Sequence, residues 1–111
     1  MADMDDTPVL DLLTGMTAMS LEATSLDPET LMLVRIAALV AVDAPAASYV
    51  MNAGAAMDAG VTLEDVQGLL VAVAPIVGTT RVLSASVNLA TGIGFAIALI
   101  EEELEAEEDE I

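Results

Sequence analysis

The sequence predicts an all-α protein, a compact helical bundle of about five helices that assembles as a homo-oligomer. Three observations carry this expectation. No stretch alternates apolar and polar residues with period two for long enough to argue a sheet. The long apolar segments are bounded by helix start and stop signals such as Asp27-Pro28-Glu29 and Gly60-Val61-Thr62. The composition is 56% hydrophobic but only 2% aromatic, so the apolar side chains are small and let helices approach closely. At 111 residues the chain is one domain. A domain this short buries only part of its apolar surface when alone, which points to association between copies.

Each element follows from its local signals. Residues 1–6 are acidic and are expected to lack fixed structure. Thr7-Pro8 starts a short helix with Val9, Leu12, Leu13, Met16 and Met19 on its apolar face, weakened at Gly15. Ser20 to Leu26 reads as a connection, so 1–26 forms an N-terminal acidic segment with a short helix. Asp27-Pro28-Glu29 places a capping acid, a proline at the first helical position and a further acid near the positive end of the helix dipole. The helix that follows reaches about Val42 and is apolar nearly all round, which makes it central. Asp43-Ala44-Pro45 breaks it. The next helix ends at Gly60, and Thr62 with Asp65 three residues later forms a capping-box-like entry to a fourth, over Leu63 to Ile76. Pro75 lies near its end, and Gly78-Thr79-Thr80 stops that helix and caps the last. The last helix can run from Arg81 into the acidic tail, with Ser86, Ala90, Gly94 and Ala98 as a stripe of small residues. That stripe suits a close contact with the second helix or with another subunit. Residues 27–100 are the helical domain and 101–111 the acidic tail.

Charge and composition exclude several functions. Nineteen acids face two bases, for a net charge of −17. With no basic patch to neutralise phosphate, no nucleic-acid partner is expected. Cysteine and histidine are absent. Disulfides, thiol redox chemistry, thiolate metal sites and imidazole acid–base chemistry are therefore outside this chain's reach. No metal or other cofactor is expected. Val82 to Ile100 runs without a charge for the length of a membrane span. Its Ser84, Ser86, Asn88, Thr91, Gly92 and Gly94, and the lack of flanking Lys or interfacial Trp, favour a buried helix and no membrane partner. With no basic segment ahead of an apolar one at the N-terminus, a cytoplasmic location is expected.

The apolar helix LVRIAALVAV, the helix and turn NAGAAMDAGVTLEDV, then LLVAVAPIVG and the alanine-rich helix after it occur in that order. On these residues the stretch from Leu31 to about Ile97 resembles the carboxymuconolactone decarboxylase family, which includes the alkylhydroperoxidase-D-like proteins. The resemblance implies an alkylhydroperoxidase-D-like fold of all-α protomers that assemble as a homotrimer or hexamer. It also implies where reactive groups would stand. The Cys-x-x-Cys pair of the peroxidase-like branch falls on Pro45 and Ser48, its histidine on Asn52, and its acid on Leu33. The decarboxylase branch has its histidine at the same place as Asn52. Neither a thiol relay nor a histidine-based decarboxylation carries over.

Among residues still able to do chemistry, Ser48, Tyr49 and Asn52 lie within about one helical turn and are the catalytic candidates. A serine nucleophile would need a neighbouring base, and Asp43 is the carboxylate near in sequence. Arg35 and Arg81 are candidates for binding a small anionic ligand. Arg35 alternatively forms a structural salt bridge with Asp43, Glu64 or Asp65, since an apolar helix would otherwise strand its charge. Met16, Met19, Met32, Met51 and Met57 fill gaps in the core. Three readings of function follow. One is a non-catalytic homo-oligomeric scaffold or small-ligand-binding protein. The second is a divergent lyase or isomerase acting on a small carboxylate substrate. The third is an interaction module using the acidic tail.

Overall fold

In the computed structural model, which describes residues 7–110, the chain forms five helices and no strand among the described residues. Side chains are described up to Gly94 and, beyond it, at Glu102, Glu105 and Ala106. Residues 1–6, expected to lack fixed structure, lie outside the described residues. The helices are α1 (Pro8–Ala23), α2 (Pro28–Ala41), α3 (Ala46–Asp58), α4 (Leu63–Val77) and α5 (Thr79–Glu110).

The helix boundaries have local causes. α2 starts at Pro28 behind Asp27, as the sequence predicts. Both α2 and α3 end in the same hydrogen-bonded wrap, in which the chain turns left-handed two residues past the last helical one. At the end of α3, Gly60 (φ 91°) donates to Met57 and Val61 donates to Ala56, each at 3.0 Å. At the end of α2 the left-handed residue is Asp43 (φ 56°), with Asp43 donating to Val40 and Ala44 to Leu39. An aspartate tolerates this conformation better than most residues because its short polar side chain finds local partners. Here Asp43 Oδ1 accepts from Ser84 Oγ at 2.6 Å, tying the corner to α5. The capping box of α4 is complete: Asp65 N donates to Thr62 Oγ1 at 3.0 Å, and Thr62 N donates to Asp65 Oδ2 at 2.9 Å.

Two boundaries differ from expectation. α1 continues through Ser20 to Ala23, because no helix breaker occurs before Thr24. α5 starts at Thr79, two residues ahead of Arg81 and directly after Gly78 (φ 90°), while its continuation into the acidic end agrees with the sequence reading.

α2 is central, packing on α3, α4 and α5, with Leu31, Met32, Ile36 and Val40 buried. The core is completed by Ala44 and by Tyr49 and Ala56 from α3, Val66 from α4 and Leu89 from α5. α3 and α5 cross closely at Gly92. A Cβ there would stand 3.0 Å from Tyr49 Cβ, 3.2 Å from the Val50 nitrogen and 3.3 Å from the Ala46 oxygen. This face of α5 is Ala85, Leu89 and Gly92, whereas Ser86, Ala90 and Gly94 of the expected stripe are exposed. Ala98, the fourth residue of that stripe, lies outside the residues whose side chains are described; the tight approach uses a neighbouring face of the helix.

α1 stands apart. None of its residues is buried, and Val9, Leu12, Leu13, Met16 and Met19 are all exposed. The methionines at 16 and 19 therefore do not fill a core within the protomer, and Met51 and Met57 are exposed too, which leaves Met32 as the buried one of the five. No helix among the described residues is long and apolar enough to cross a membrane.

Candidate functional site

α3 supplies five of the twelve residues that wall a cavity of about 280 Å³ in the body of the bundle, more than any other helix. Its inward side presents Tyr49, Asn52, Ala53, Ala56 and Met57, in which i, i+3 and i+4 spacings place the side chains on adjoining turns. Ile36 of α2 faces them. The corner Val61-Thr62-Leu63 and Val66 of α4 form one side, and Leu89 and Ile93 of α5 form the other. The void has a simple origin. Alanines at positions 53 and 56 stop short of the space between Ile36 and Leu89, and the fixed capping box holds α4 at its distance.

Of the residues singled out from sequence, the structure brings Tyr49 and Asn52 to this cavity. Tyr49 is 3% exposed, and its buried hydroxyl has no hydrogen-bond partner among the described residues. Burial pushes its pKa above the ordinary phenol value, and the negative charge of Asp43 adds to that shift. The group therefore stays neutral at physiological pH and is no base. Asn52 donates from Nδ2 to the Ser48 carbonyl at 2.8 Å, a bond back along its own helix. Ser48 takes part through its backbone, is half-buried, and is absent from the cavity lining. Asp43, the base considered for it, is engaged with Ser84.

Neither arginine lines the cavity. Arg81 on α5 donates from Nη1 to the Ala41 carbonyl, occupying an acceptor that the end of α2 leaves free. Arg35 lies in a second, shallower cleft between α1 and α2, where Leu13, Met16, Thr17, Ser20 and Asn52 also contribute. Its Nη2 donates to Ser20 Oγ at 3.1 Å. The salt bridge expected of Arg35 does not form among the described residues. Asp43 is engaged with Ser84, Asp65 is the partner of the Thr62 amide, and the guanidinium instead reaches the hydroxyl on α1. Asn52 borders both the cavity and the cleft.

The cavity residues missed from sequence are Ile36, Ala53, Ala56, Val61, Thr62, Leu63, Val66, Leu89 and Ile93. The readable signal was the pairing of small residues at 53 and 56 on the helix face that carries Tyr49 and Asn52. Among the described residues no group of three or more acids converges as a metal site requires.

Such a molecule is a small α-helical bundle with an uncharged internal cavity. It has neither thiol nor imidazole where the resemblance would place them. The model of the carboxymuconolactone decarboxylase family matches residues 8–91, and the chain belongs to that family. The match takes in α1, which precedes the stretch carrying the resemblance. No curated protein matches the chain, and no solved structure matches it.

Proposed function

We propose that this chain is a non-catalytic, homo-oligomeric member of its family that binds a small ligand in the cavity between α2, α3, α4 and α5. The observation that carries this reading is the cavity itself: about 280 Å³, walled by four helices, with no acid–base group able to take a proton near neutral pH and no hydroxyls beyond those of Tyr49 and Thr62, neither with a base beside it in the lining. General acid–base or nucleophilic catalysis needs a group able to take a proton near neutral pH. Binding needs only shape and a few polar contacts. The reading as a lyase acting on a carboxylate loses support, because Arg81 is tied to Ala41 and Arg35 lies in the neighbouring cleft.

Self-association is supported by the apolar surface. Val71, Ile76, Leu83, Val87 and most of α1 are exposed, Ile76 at 87%. Isolated helices of this length are marginal in water, so α1 needs a partner surface to be stable. The exposed Ser86, Ala90 and Gly94 beside Leu83 and Val87 offer a smooth surface on α5 for a second copy.

Native mass spectrometry of gently purified protein tests both parts. A trimer or hexamer carrying a small added mass is the expected result. A monomer of 11.4 kDa that stays monomeric in light scattering would refute the assembly, and an oligomer free of added mass would leave the ligand without support.

A further inference from the structure

The chemistry of the wall restricts what the cavity can hold. None of the twelve residues lining it carries a charge. A carboxylate or ammonium moved there from water would lose its hydration with no opposite charge to replace it. The mouth adds a bias against anions. Met57 and Leu63, the two exposed apolar residues of the lining, are flanked in the chain by Asp58 and Glu64, both exposed, on a protein of net charge −17.

The polar contribution of the wall is small and specific. The Thr62 hydroxyl oxygen accepts from the Asp65 amide, and its O–H remains able to donate at the exposed corner before α4. The Tyr49 hydroxyl is shut off from solvent. Asn52 spends one amide hydrogen on the Ser48 carbonyl, and none of the described residues occupies its Oδ1 or its second amide hydrogen. A carboxamide in this state can both donate and accept.

We propose that the ligand is a neutral, largely apolar molecule with one uncharged polar group (an ester, ketone, alcohol or amide) that meets the Asn52 carboxamide. This rests on the cavity being the ligand site. An apolar cavity of about 150 Å³ is known to hold benzene, so by proportion this one holds a molecule of about eleven non-hydrogen atoms.

Methyl-labelled full-length protein, titrated by NMR with methyl benzoate, sodium benzoate and ethylbenzene, tests the inference. The three probes share a ring and differ in charge and in the presence of a polar group. Expected are shifts at the Ile36, Val66, Leu89 and Ile93 methyls with both neutral probes, and binding of benzoate at least about tenfold weaker than that of its methyl ester. Asn52→Ala should weaken methyl benzoate by about three- to tenfold and leave ethylbenzene unchanged. Ala53→Leu, which fills the cavity, should remove the response to both neutral probes. Benzoate binding as tightly as the ester, or Asn52→Ala weakening both neutral probes alike, overturns the assigned ligand class while leaving the cavity as the site. No response at these methyls to any probe overturns the cavity reading, and the ligand class with it.

Discussion

The α3–α5 crossing gives the sharpest test of the packing. At Gly92 an added methyl would meet Tyr49 Cβ at 3.0 Å, Val50 N at 3.2 Å and Ala46 O at 3.3 Å. Two of those atoms are backbone and the third is bonded to it, so none can turn aside as the end of a flexible side chain can. Gly92→Ala therefore has to push the helices apart by a few tenths of an ångström, and this happens beside the core residues Tyr49 and Leu89. Overpacking of this kind costs about 1–3 kcal/mol, against a helix-propensity gain of about 1 kcal/mol for alanine over glycine. The net expectation is a loss of about 1 kcal/mol. Gly68 in α4 has no atom within 4 Å of the same added methyl. Gly68→Ala should then show the propensity gain alone, about 0.5–1 kcal/mol of stabilisation. Urea unfolding followed by circular dichroism at one fixed protomer concentration measures both, because any association of copies would make apparent stability depend on concentration. If Gly92→Ala were as stabilising as Gly68→Ala, the two helices would not cross as closely as described.

Further outcomes follow from single residues. Tyr49 is the chain's one tyrosine, and there is neither lysine nor cysteine, so ultraviolet titration reads this phenol alone. Its raised pKa means the folded state keeps a proton that the unfolded state loses above about pH 10, so stability falls as pH rises through that range. Tyr49→Phe should flatten this alkaline decline and, by removing an unpartnered buried hydroxyl, add about 1 kcal/mol near neutral pH; a loss of stability would mean the hydroxyl has a partner in solution. Thr62→Ala removes one half of the capping box and should cost about 1 kcal/mol in the same urea assay. Replacing Glu107, Glu108 and Glu110 by lysine should raise the helical circular dichroism signal, because cations suit the negative end of a helix and these acids do not; an unchanged signal would count against that dipole effect.

The bundle was legible where the chain carries stop and start residues. Asp27-Pro28, Gly60, Thr62 with Asp65, and Gly78 each act through backbone geometry within a few residues, so α2, α3 and α4 could be placed from local chemistry. The facing of α5 was not legible. Small residues recur on more than one side of it, and the choice of Gly92 over the stripe at 86, 90 and 94 depends on where α3 lies. Arg35 and Arg81 show the same limit. Their charges predicted ligands or ion pairs, yet long side chains reach whatever oxygen the fold brings near, here a serine on α1 and a carbonyl at the end of α2. The cavity was hidden for a different reason: it is the space that four helices fail to fill, and no single segment encodes it. Asn52 could be picked out because the family resemblance marks its place, while the alanines at 53 and 56 look like ordinary helix formers.

α5 has a consequence for how copies can be arranged. At 1.5 Å per residue its 32 residues run for about 48 Å, comparable with the 46 Å longest extent of the molecule, and eight acids fall in its last stretch. If copies form a ring with rotational symmetry and α5 stands along its axis, equivalent helix ends emerge at the same height and every acidic end decorates the same side. Two such rings would repel where those sides meet and would join through the opposite ones. A pair joined that way would present an acidic exterior at both poles, which would halt further stacking.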